Sequence, residues 1–167
     1  MRVRLTCAIV AMLMVAACDS PEEREAAYLK SGKELFASGE LSKAAIEFRN
    51  ALKINPTGVE AKYFAAQIYE RKGNVPRAIS TYQEVALQDP NNRDVQLKLG
   101  QYALMNGDAT QARGRADKLI ALDSNKPDGH TMKAAAFLMM GKLDEAEAEA
   151  RVALTLKPHD EDATIVL

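Results

Sequence analysis

The chain has 167 residues, 27% charged and 47% hydrophobic, so it carries enough apolar content to fold and none of the depletion that marks disorder. A formal net charge of −1, with no basic cluster on one predicted face, removes the electrostatic case for nucleic acid. The N-terminus stands apart from the rest. Arg2 and Arg4 precede Leu5 to Ala17, a weakly polar to apolar run of thirteen residues. A bilayer span needs about twenty residues, so this layout predicts a secretory signal over residues 1–17.

The end of that run, Val15-Ala16-Ala17-Cys18, resembles the bacterial lipobox, in which small residues precede a cysteine that is acylated and becomes the new N-terminus. The resemblance implies lipidation of Cys18, an anchor in a membrane and a chain facing the periplasm. A mature chain starting there has no second cysteine, because Cys7 lies in the discarded run, and so has no disulfide and no thiol metal site. Asp19, next to the acylated position, favours retention in the inner membrane over the outer one. Residues 18–24 are expected to form a lipidated tether.

Beyond this point one period governs the sequence. Gly39, Gly73, Gly107 and Gly141 recur every 34 residues, and Ala44, Ala78, Ala112 and Ala146 follow the same ruler. Pro56, Pro90 and Pro158 do likewise, with Ser124 in the remaining place. A fixed period of this size is one supersecondary unit copied along the chain. Within a unit, two stretches with apolar residues at intervals of three and four predict two helices around the glycine turn. Ser42, Pro76, Thr110 and Asp144, three residues after each glycine, suit a helix start, and Asp144 with Glu147 has capping-box spacing. Asn55-Pro56, Asp89-Pro90 and Lys157-Pro158 should end each second helix.

Small residues at Gly32, Ala66, Gly100 and Ala134 mark close helix contacts, and Phe48 and Tyr82 fill the space between helices. Their counterparts Ala116 and Ala150 do not, and unit three also holds Gly114 inside a helix. These columns, best displayed by Tyr28, Gly32, Leu35, Gly39, Ala44, Phe48, Ala51 and Pro56, resemble the tetratricopeptide repeat. The first large position departs from that pattern, reading Tyr28, Lys62, Gln96 and His130, and the chain has no tryptophan. The expected fold is all-α: an α-solenoid of antiparallel helical hairpins in a right-handed superhelix. Its units are residues 25–58, 59–92, 93–126 and 127–160, and residues 161–167 begin a fifth. Such an array is expected to continue in a longer chain, or to pair through its C-terminal edge with another copy.

No residue pattern points to catalysis or to a cofactor. His130 and His159 lack the several ligands at set spacing that a metal needs. Asp144, Glu145, Glu147 and Glu149 are most simply a solvated helix face. The resemblance instead implies a concave groove lined by the first helix of each unit, where a protein or peptide partner binds. Projected onto this chain, that groove comprises Lys33, Phe36, Tyr63, Gln67, Lys98, Gln101, Leu104, Met105, Met132, Leu138 and Met139. Methionine side chains adapt to varied apolar partners. The basic clamp that grips chaperone tails in this family is not rebuilt, because Lys33 and Lys98 lack the accompanying asparagines. The function implied is a non-enzymatic scaffold lipoprotein of envelope assembly or secretion. Two other readings stay open: an accessory subunit of an envelope enzyme, in exopolysaccharide synthesis or an exosortase system, and a self-associating structural protein.

Overall fold

The computed structural model describes residues 20–166. Among them nine α-helices follow one another without a strand: α1 (Pro21–Ala37), α2 (Leu41–Ile54), α3 (Val59–Arg71), α4 (Val75–Gln88), α5 (Arg93–Met105), α6 (Ala109–Leu122), α7 (Pro127–Met139), α8 (Leu143–Leu156) and α9 (Glu161–Val166). Each odd-numbered helix from α1 to α7 packs on the helix after it as a hairpin, and successive hairpins stack. None of the described helices is long and apolar enough to cross a membrane.

The glycine ladder closes each hairpin by one device. Gly39, Gly73, Gly107 and Gly141 all hold positive φ, between 72° and 81°, where a Cβ would be strained. At the first of them Gly39 N–H donates to the Phe36 carbonyl at 3.2 Å and Glu40 N–H to Leu35 at 2.9 Å, and the other three turns repeat this pair of bonds. This is the Schellman ending, which satisfies the last free carbonyls of the first helix.

The same geometry moves the helix starts. The residue after each glycine both finishes the old helix and stands as N-cap of the new one, so the caps are Glu40, Asn74, Asp108 and Lys142. Ser42, Pro76, Thr110 and Asp144 therefore lie inside the first turn, and Asp144 and Glu147 form no capping box. Asn74 and Asp108 accept from Arg77 and Gln111 N–H at 3.3 and 2.9 Å; Glu40 and Lys142 make no such bond. A capping box does form at the start of α1, where Ser20 and Glu23 exchange side-chain bonds and Pro21 opens the helix. The stretch read as a tether over 18–24 is thus already helical from Pro21 onward.

At the other end of the unit, α6 stops in register without proline. Asp123 accepts the Asn125 N–H at 3.0 Å, as Asn55 does from Thr57 and Asp89 from Asn91 at 3.2 and 3.3 Å. The side-chain turn, present in all three units, is enough to end the helix there.

Packing follows the small and large columns. A Cβ on Gly32 would lie 2.7 Å from the Phe48 ring, and one on Gly100 would lie 2.2 Å from the Met132 sulfur. Ala44, Ala78, Ala112 and Ala146 are buried, as are Phe48, Tyr82, Ala116 and Ala150. Gly129 adds a contact the periodicity does not announce: its bare Cα lets Leu119 and Ile120 of α6 close on α7. Gly114, by contrast, faces open space. Gly114→Ala should therefore stabilise the chain by about 1 kcal/mol, through helix propensity alone. Urea unfolding followed by circular dichroism would show a higher midpoint, and a lower one would mean that α6 needs glycine for another reason.

Candidate functional site

The first helices α1, α3, α5, α7 and α9 share one face of the stack, and polar bridges link α1 to α3, α3 to α5 and α5 to α7. Lys33 Nζ on α1 reaches Glu60 on α3 at 2.9 Å. Glu70 on α3 binds Lys98 on α5 at 2.7 Å, and the Tyr63 hydroxyl lies 3.4 Å from Asp94. Arg93 on α5 meets Asp128 on α7 at 2.8 Å. The two lysines expected to greet a ligand are thus engaged within the array.

Glu70 is the centre of this region. It accepts the hydroxyl of fully buried Tyr82 at 2.9 Å as well as the Lys98 ammonium. Burial alone would raise the Glu70 carboxyl, but bonds from Lys98, Tyr82 and Tyr102 outweigh it and hold the group below the usual range. Tyr82 is pushed up, first by burial and then by the carboxylate it serves. Tyr63 and Tyr102 move the same way, burial again leading.

The departures from the family's aromatic position prove to be polar pairs between the two helices of one unit. Lys62 holds Glu84 at 2.9 Å, and buried Gln96 accepts from Arg115 at 2.7 Å while donating to the Pro90 carbonyl at 2.8 Å. Desolvation pulls the Arg115 guanidinium below its ordinary value. His130 Nδ1 lies 2.7 Å from Glu149, which also binds Lys133 at 3.1 Å. Burial opposes the Lys133 charge, yet Asp117 and Glu149 together raise that ammonium. His130 is thus carboxylate-paired, and Glu149 belongs to this half-buried bridge rather than to a solvated acidic face. Among the described residues no group of three or more His, Cys, Asp and Glu could hold a metal ion.

Beside the Arg93–Asp128 bridge, whose carboxylate is part of its lining, a groove of about 730 Å³ opens between α5, α7 and α9. It gathers Gln101, Leu104, Met105, Met132, Leu138 and Met139 of the expected lining, and adds apolar Leu97, Ala135, Ile165 and Val166 together with polar Asp128, Thr131, Lys157, Asp160 and Asp162. Met105 is 76% exposed, Met139 47% and Leu138 39%, whereas Met132 is only 4% exposed because its sulfur fills the gap above Gly100. The remaining candidates lie outside this groove. Phe36 is buried edge-on against Phe64, with the Arg71 guanidinium 3.9 Å over its ring. Lys33, Tyr63 and Lys98 serve the bridges, and Gln67 is half-buried on α3. Cys18 lies outside the described residues.

A stack of helical hairpins with an inner groove defines a class of protein-binding solenoid. Two tetratricopeptide-repeat family profiles match residues 35–102 and 97–161, and the chain belongs to that family, whose members are generally non-enzymatic scaffolds. The sequence is similar to the DnaJ homolog subfamily C member 7 homolog of Schizosaccharomyces pombe, 29% identical over 157 residues. That match covers 84% of this chain and 33% of the relative. It is also similar to cellulose synthase operon protein C of Pseudomonas fluorescens, 34% identical over 92 residues, 55% of this chain and 7% of that protein. The chain thus spans a third or less of these relatives. Among solved structures, MamA superposes with a TM-score of 0.76 at 21% identity, covering 87% of this chain and 79% of MamA.

Proposed function

We propose that this chain is a lipid-anchored, non-enzymatic scaffold of the bacterial cell envelope that holds a protein segment in the α5–α7–α9 groove. The observation that carries the binding half is the exposed row Met105, Leu138, Met139 and Ile165, a large apolar surface in a family of binding scaffolds. Support for the anchored half comes from Val15-Ala16-Ala17-Cys18, with Asp19 favouring the inner membrane. The Pseudomonas fluorescens relative is named for a cellulose synthase operon, which favours service to an exopolysaccharide system over other envelope roles.

Each half has its own test. In fractionated bacteria the wild-type chain should sediment with membranes and Cys18→Ala should not; equal partition of the two would overturn the anchor. A photo-crosslinking residue placed at Met139 should give a discrete adduct in cells, and one at exposed Gln83 on α4 should not. Adducts of equal yield from both positions, or none from Met139, would overturn the groove. An adduct composed of two copies of this chain would favour the self-associating reading instead.

A further inference from the structure

Acidic residues follow the 34-residue period as faithfully as the glycines do: Glu60, Asp94, Asp128 and Asp162 open α3, α5, α7 and α9 in turn. The first three each take a donor from the preceding first helix, namely Lys33, Tyr63 and Arg93. For Asp162 that preceding helix is α7. Its residues in register with those three donors are Ala135, Thr131 and Pro127, none of them a cation or a phenol. No salt bridge or side-chain bond reaches the Asp162 carboxylate among the described residues, and the nearby Lys157 is engaged by Asp160 at 3.3 Å. Asp162 is exposed on the rim of the groove. Of the other charged groups that line it, Asp128 is paired with Arg93 and Asp160 with Lys157, and the rest of the floor is mainly apolar, with Gln101 and Thr131 as its polar members.

This arrangement selects among occupants. In water Asp162 is solvated at no cost, but a segment lying over the groove strips that water away. An apolar or acidic segment then leaves a carboxylate desolvated and unpaired, whereas a lysine or arginine at that margin pairs with it. The backbone of the occupant is constrained as well. The groove walls are helices whose own amides are satisfied internally, and no strand edge exists among the described residues to pair an extended chain. A segment that satisfies its own backbone suits such a floor. We propose, building on the groove reading above, that the occupant is an amphipathic helix of a partner protein. Its apolar stripe covers Leu104, Met105, Leu138, Met139 and Ile165, and a lysine or arginine at its flank pairs with Asp162.

The test uses the full chain and three labelled synthetic helices with one common leucine face, whose flanking position is lysine, glutamine or glutamate. Fluorescence anisotropy at about 50 mM salt should rank them lysine, glutamine, glutamate, with lysine favoured over glutamine by about fivefold. Asp162→Asn should erase the lysine advantage and leave the glutamine peptide unchanged. The paired change Leu138→Glu and Met139→Glu should abolish binding of all three, with helical content retained because both side chains are exposed. Equal affinity for the three peptides, or a lysine preference that survives Asp162→Asn, would overturn the cation assignment and leave the groove standing. Failure of every peptide to bind would remove the groove reading too. Concentration-dependent dimers abolished by Leu138→Glu would show that a second copy is the occupant, and would overturn the proposal.

Discussion

Phe48→Ala is expected to destabilise the chain by about 3–5 kcal/mol, the range for emptying an aromatic from a closed core. Phe48 is fully buried and stacks on Phe64 with centroids 5.0 Å apart and planes 3° from parallel. Its ring also occupies the space that Gly32 leaves. In unit three the same column holds Ala116 opposite Gly100, and Met132 from the next unit fills the gap. Phe64 stands in the register place of Met132 but is already committed to Phe48 and Phe36, so it has little freedom to fill a hole. The loss should show as a lower urea midpoint, with hydrogen exchange accelerated in α1 and α2 before α5 to α8, since each unit contacts only its neighbours. A cost below about 1 kcal/mol would show that Phe64 collapses into the vacancy after all.

What could be read from the sequence is what the local period controls. Glycine at positive φ, small residues at helix contacts and the side-chain turn before the proline all act within a few residues, so spacing alone reveals them. The N-caps escaped because the Schellman turn gives one residue two duties, so each helix starts two residues earlier than Ser42, Thr110 and Asp144 suggest, at Asn74 and Asp108 with a side-chain cap and at Glu40 and Lys142 without one. Pairing across helices escaped more broadly. Helical periodicity says which face a residue occupies but not what stands opposite, so His130 and Glu149 looked like a packed ring and a solvated acid. The groove was drawn over the whole inner face for the same reason, although Glu60 and Glu70 neutralise its N-terminal half. One signal was in plain view: the acidic column Glu60, Asp94, Asp128 and Asp162. Acids in a helix first turn are favoured by the helix dipole wherever they occur, and that ordinary explanation hides a periodic bridge.

Glu70→Ala should cost about 2–3 kcal/mol at neutral pH, more than an exposed ion pair, because it removes a charge-assisted bond and strands a buried hydroxyl. Lys98 keeps access to water and recovers part of its loss by hydration, but Tyr82 does not, since it is fully buried and the carboxylate is its hydrogen-bond partner. The second substitution Tyr82→Phe should therefore cost less in the Glu70→Ala background than alone, a coupling that a double-mutant cycle measures directly. Acid supplies an independent check with a definite sign. The folded-state value of Glu70 is lowered, so its contribution is complete above the unfolded carboxylate value of about 4.3 and is lost as pH falls through the lower folded value. Urea midpoints of wild type and Glu70→Ala should then converge as pH drops below about 4, with wild type losing the more. A gap unchanged down to strong acid would mean that the carboxylate charge contributes nothing and that the bridge from α3 to α5 rests on packing alone.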